Sequence, residues 1–276
     1  MGIRTRWNLV ALGAAVCVLV TASCSSSEAP DGLAASSLRT SGSYLALGDS
    51  LPFGSYDGAG DAYEDADNFV GYPQLVGAQL GLAVSNAACP GETTVSFRDG
   101  GCGYRDSYPL HLSYGSAGQS QLDFALEKLA ELDDVELVTV QLGANDAFGC
   151  QRSTRSRCTA ATDVEAFARS VQTNLDSILS ALREKAGYEG QLVVVTYYVP
   201  TADDAIEQAL RALAEVIDTV ARAHDAAVAD GYEAFREKAE ATGGDPVEAG
   251  LVYPNDVHPT DAGQELIADA VLAVVN

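Results

Sequence analysis

The chain has 276 residues, 47% of them hydrophobic, and a formal net charge of −23. That length is enough to bury a sizeable core. An acidic surface of this size repels phosphate backbones, which argues against nucleic acid as a partner, and it says little about a small substrate.

Arg4 and Arg6 precede an uncharged run from Trp7 to Ser23 with the apolar centre LVALGAAVCVLV. A charged start followed by a short apolar stretch reads as a signal peptide over 1–23 rather than a domain element. Small residues lead into Cys24 as VTASC, which fits a lipobox, with Thr21 where leucine is usual. Cys24 is therefore expected to carry lipid after cleavage; plain secretion and an uncleaved anchor are the alternatives, and all three export the chain. A lipidated cysteine tethers a protein without spanning the membrane. Residues 24–41 continue as a small, polar, aperiodic tether. Residues 42–276 then suit one α/β domain, with no internal repeat and no second change in composition.

The first strand, over 43–48, runs into Gly48-Asp49-Ser50. Gly-Asp-Ser is ordinary turn chemistry, or it is a nucleophile held at the end of a sheet. A second strand over 82–86 leads to NAACPGETT, with Asn86, Gly91 and Thr93. The third, VELVTVQL at 135–142, leads to Gly143-Ala144-Asn145-Asp146. A helix over 164–183 lines up Phe167, Val171, Leu175, Ile178 and Leu182. The strand QLVVVTYY follows at 191–198, then a helix over 203–222 and a short strand near 226–230. PNDVHPT, with Asp256 and His258, precedes a last helix over 260–275. Strands alternating with helices predict a parallel sheet in a three-layer α/β/α sandwich of flavodoxin-like type. Sites in such sheets lie beyond the carboxyl ends of the strands, where these polar blocks fall.

Four cysteines remain in the domain: Cys89, Cys102, Cys150 and Cys158. An even set in an exported chain favours disulfides, with three pairings open. Pairing neighbours in sequence, Cys89 with Cys102 and Cys150 with Cys158, closes two short loops. A four-cysteine zinc site is the rival, but it lacks a C-x-x-C pair.

The polar blocks suit acyl transfer. A serine hydroxyl needs a base to take its proton, and His258 stands before a terminal helix that can pack beside the first strand. Negative charge forming on a carbonyl oxygen needs donors already aimed at it. The backbone N–H of Ser50, the backbone N–H of Gly91 and the side-chain amide of Asn145 supply three. The two suggested disulfides would stiffen the loops around Gly91 and Asn145. Asp49 is expected to brace the first turn. Phe53, Tyr56, Tyr104, Tyr108 and Tyr114 lie near the loops, where lining an acyl pocket and simple packing explain them equally.

In this order and spacing, GDSL at 48–51, Gly91, GAND at 143–146 and His258-Pro259 resemble the SGNH or GDSL hydrolases over about residues 43–276. The resemblance implies a sheet of about five parallel strands, no metal or cofactor, and hydrolysis of small-molecule or lipid esters through an acyl-serine intermediate. It implies Ser50 as nucleophile, His258 as base, and Ser50, Gly91 and Asn145 as the oxyanion site. The cysteine placement is similar to that of secreted bacterial esterases with disulfides in the same two loops. The G-x-S-x-G esterases do not fit, because Pro52 stands where their second glycine would be.

One position departs from the family. Its acid usually stands three residues before the histidine, where this chain has Asn255; the carboxylate is Asp256, two before His258. A neutral amide orients an imidazole but does not offset its charge. Asp256 after a local backbone shift, a backbone carbonyl near residue 255, and Asn255 itself are the three readings. Alternative functions are a carbohydrate O-acetyl esterase and a non-catalytic ligand-binding lipoprotein on a degenerate hydrolase fold. A monomer is expected, bound to the membrane through its lipid alone.

Overall fold

The structure, a computed structural model, describes residues 41–64, 68–102, 119–200 and 204–276. Of the two units into which the chain divides, Met1–Ala35 and Ser36–Asn276, all described residues belong to the second. The leader, Cys24, most of the tether, Tyr104, Tyr108, His111 and Tyr114 therefore lie outside the described residues.

Five strands form one sheet: β1 (Ser43–Gly48), β2 (Ala83–Asn86), β3 (Val135–Gln141), β4 (Gln191–Val195) and β5 (Ala227–Ala229). Their spatial order is 2-1-3-4-5 and every pairing is parallel. This is the expected flavodoxin-like sheet. β1 is buried from Tyr44 to Gly48, and β3 and β4 each carry an unbroken buried run. Helices on both faces remove the solvated side that would impose alternation, so these strands read as near-continuous apolar runs.

The helices are α1 (Ser50–Phe53), α2 (Tyr72–Leu80), α3 (Thr94–Asp99), α4 (Gln121–Glu131), α5 (Ala144–Ser153), α6 (Ala161–Ser180), α7 (Asp204–Ala223), α8 (Gly231–Ala239) and α9 (Asp261–Leu272). α3, α5, α6 and α7 pack together, while α2, α8 and α9 form another group. Among the described residues no helix is long and apolar enough to cross a membrane.

One expectation needs correction. The apolar run 191–198 leaves the sheet after Val195, and Thr196, Tyr197 and Tyr198 turn toward the site. Thr196 N–H still reaches the Ala229 carbonyl, at 3.0 Å. The terminal helix α9 packs on α2 and α8, and its Ile267 and Val271 join the buried cluster that holds Tyr44, Leu45 and Leu47 of β1. Its link to the first turn is one side chain: Gln264 accepts from Tyr72 N–H at 2.8 Å and donates to the Leu51 carbonyl at 3.1 Å.

The 2-1-3-4-5 order places the reversal in strand order between β1 and β3. Connections diverge there and leave a crevice beyond the strand ends. The residues following β1 and β3 line its wall.

Candidate active site

Gly48 closes β1 at φ +144, and a Cβ there would lie 2.4 Å from the Gln141 carbonyl oxygen and 2.9 Å from Pro52. Only glycine lets the chain pass this close to β3 while adopting a left-handed φ. Asp49 then caps α1, accepting from Leu51 N–H at 3.1 Å through one oxygen and from the Tyr197 hydroxyl at 2.6 Å through the other. It is fully buried, and burial pushes its carboxyl up to about 7. This is the expected bracing role. Ser50 opens α1, so its N–H has no acceptor within the helix.

Asn86 ties the second loop to that turn, donating to the Pro52 carbonyl at 2.7 Å and accepting from Ala88 N–H at 3.1 Å. Gly91 sits at φ +81 in the turn that follows, a conformation glycine adopts without strain. Thr93 caps α3. Asn145, second residue of α5, donates from Nδ2 to the Glu92 carbonyl at 3.0 Å. Asp146 beside it accepts from the N–H and hydroxyl of Thr94, at 2.9 and 2.7 Å. The starts of α3 and α5 are thereby fastened together. Cys89 is bonded to Cys102 and Cys150 to Cys158, the sequence-local pairing. In the chain-entropy account each loop contributes about 2–3 kcal/mol.

The final loop answers the question raised by Asn255. Tyr253-Pro254-Asn255-Asp256 closes a turn, with Asp256 N–H on the Tyr253 carbonyl at 3.2 Å and Asn255 at φ +61. Proline second and a left-handed asparagine third is the pattern of a type II turn. Asn255 itself is exposed. Past the turn, Asp256 Oδ1 accepts from the N–H groups of Val257 and His258, at 2.6 and 3.1 Å, and contacts His258 Nδ1 at 2.6 Å. Its Oδ2 accepts from Asp57 N–H at 2.7 Å. Folding back over its own following residues lets a carboxylate two positions before the imidazole reach the ring. The contact suits a tautomer with the proton on Nδ1, which would leave Nε2 free to accept one.

Sequence reasoning missed the support for this loop. The Tyr198 hydroxyl donates to the Val257 carbonyl at 2.7 Å, and the Tyr198 ring stacks on Phe235, with centroids 4.0 Å apart. A polar-tipped aromatic at the end of an apolar strand was the available signal. His224 is instead bonded to Asp176, at 2.9 Å.

Ser50, Gly91, Asn145 and His258 line one cavity of about 410 Å³. Tyr56 and Tyr63 line it too, and both pack on Phe69, at 5.9 and 4.5 Å between centroids. Phe53 lies behind, fully buried.

A hydroxyl, an imidazole held by a carboxylate and a side-chain amide around one cavity, at the strand ends of a doubly wound parallel sheet, define an acyl-transfer hydrolase. Residues 46–266 match the model of the GDSL-like lipase/acylhydrolase family, and the chain belongs to that family. It is an ester hydrolase. No curated protein matches the chain. Among solved structures it is similar to an acetylxylan esterase from Geobacillus stearothermophilus, at 16% identity and TM-score 0.57, over 85% of this chain and 94% of that one. A phospholipase A1 from Streptomyces albidoflavus is 25% identical with TM-score 0.55, over 85% and 99%. LAE5, an α/β hydrolase enzyme from the metagenome of Lake Arreo in Spain, is 20% identical with TM-score 0.53, over 84% and 94%.

Proposed function

We propose that Ser50 is the nucleophile and His258 its base, in a triad completed by Asp256, and that the substrate is a neutral carboxylic ester. The observation that carries this is the convergence of Ser50, His258, Gly91 and Asn145 on one cavity, with Asp256 Oδ1 2.6 Å from Nδ1.

Ser50 Oγ attacks the carbonyl carbon while Nε2 takes its proton. The carbonyl oxygen becomes an oxyanion received by the N–H groups of Ser50 and Gly91 and by Asn145 Nδ2. Asp256 stabilises the imidazolium. Collapse expels the alcohol, which leaves with the proton from Nε2, and an acyl-Ser50 ester remains. Water then attacks, Nε2 accepts its proton, and the acid is released as Ser50 recovers its hydrogen.

A fluorophosphonate probe tests the assignment. The wild-type chain labels and Ser50→Ala does not, with turnover of p-nitrophenyl esters falling by about 10⁴-fold or more in that variant. A wild-type chain that hydrolyses the esters but takes no label would overturn Ser50 as the nucleophile. The aromatic wall of Tyr56 and Tyr63, backed by Phe69, favours an acyl chain over bare acetyl groups. A p-nitrophenyl series from acetyl to palmitoyl checks this, and a maximum at acetyl supports the carbohydrate O-acetyl esterase.

The proposal extends to location. Residues 1–23 export the chain, Cys24 carries the lipid, and residues 24–41 tether a monomeric domain outside the membrane. Metabolic labelling with a fatty-acid analogue that survives in Cys24→Ala would overturn the anchor.

A further inference from the structure

The main chain of Gly48, two residues before Ser50, is gripped by a side chain from another element. Gln121 opens α4. Its Oε1 accepts from Gly48 N–H at 2.6 Å, and its Nε2 donates to the Gly48 carbonyl at 3.0 Å. Nε2 also donates to Glu92 Oε2, at 2.9 Å. These partners fix the amide orientation, since an N–H needs the oxygen and two acceptors need the nitrogen.

Glu92 directly follows Gly91. Its Oε1 accepts from the Ser96 hydroxyl, and its main-chain carbonyl accepts from Asn145 Nδ2 at 3.0 Å. Glu92 and Gln121 are each 1% exposed, so neither meets substrate. One buried pair thus touches the turn that presents Ser50, the residue next to Gly91, and Asn145 itself. Packing alone would be served by apolar side chains, without the cost of desolvating a carboxyl and an amide.

We infer that Gln121 and Glu92 are positioning residues that lock the three oxyanion donors to one another and fix their spacing before substrate arrives. This rests on the Ser50-centred hydrolase reading above. Burial, with smaller contributions from Asp49 and Asp146, pushes the Glu92 carboxyl up to about 7.

The test compares Gln121→Leu, Glu92→Leu and Glu92→Gln, with competent sites counted by fluorophosphonate titration and kcat taken per site. Both leucine variants are expected to lose about 10–100-fold in kcat with KM held within about threefold, because donor geometry matters most in the transition state. Glu92→Gln keeps an acceptor for Gln121 and a partner for Ser96, and should stay within about threefold of wild type. Folded leucine variants with wild-type kcat per site, a loss confined to KM, or a Glu92→Gln variant as impaired as Glu92→Leu would each overturn the lock. If the leucine variants do not fold, Gln121→Glu takes their place with the same expected loss and the same overturning result. It keeps the acceptor for Gly48 N–H and loses the donor to Glu92 and to the Gly48 carbonyl. Absence of Ser50-dependent turnover in the wild-type chain would sink the hydrolase reading itself; wild-type turnover with indifferent variants sinks only the lock.

Discussion

The two sides of the cavity are built differently. The donor side, from Gly48 to Ser50, Gly91 and Asn145, is held by contacts between distant parts of the chain, Gln121 on Gly48, Asn145 on the Glu92 carbonyl and Asp146 on Thr94, and by two disulfides that close short loops. The acid–base side is mostly local. Asp256 grips Val257 and His258 within its own loop, and Asp57, Tyr198 and the turn at Asn255 brace it. The difference matches the tasks proposed for the two sides. Oxyanion donors work by being in place before charge develops, so their geometry is over-determined. The imidazole is proposed to give and take protons, a role for which one strong contact at Nδ1 is sufficient to set the tautomer.

This contrast can be broken at several points. Asp256→Asn should have the largest effect, lowering kcat about 10³–10⁴-fold, by analogy with the Asp→Asn change in a protease triad, because an amide selects the wrong tautomer. Asn255→Ala serves as its control. It should leave kcat within about threefold while costing about 1 kcal/mol for alanine at φ +61, read from denaturant unfolding. Equal kcat losses in the two variants would overturn the assignment of the acid. On the donor side, Asn145→Ala should cost about 10²–10³-fold in kcat with little change in KM, measured with one p-nitrophenyl ester at saturation.

The smallest effect concerns pH. Asp49 and Glu92 are both raised to about 7, chiefly by burial. Each binds its proton more tightly in the folded chain than in the unfolded one. Their contribution is complete near pH 4 and lost as pH rises through about 7. Asp49→Asn removes one of these losses, so its Tm relative to wild type should improve by a few degrees between pH 5 and pH 8. An unchanged difference across that range would show that Asp49 stays ionised in the folded chain.

Much of the framework was legible in the chain itself. Strands β1, β2, β3 and β5 lie within a residue or two of their expected limits, because a doubly covered parallel sheet leaves a plain apolar run. β4 ended early, since Thr196, Tyr197 and Tyr198 look like strand residues yet serve the site. Helices α2, α4, α5 and α8 escaped the periodicity reading, being short and held by tertiary contacts. Gln121 and Glu92 gave no signal, because a buried polar residue in sequence looks like a surface one.

The order of motifs determined the sheet and the family, and it picked out the residues proposed to carry the chemistry, since apolar runs and the residues after them encode local structure directly. Tertiary structure alone decided which carboxyl reaches His258 and what fixes the donors. Both depend on distances between segments far apart in the chain, or on one left-handed turn, and residue order sets neither until the chain has folded.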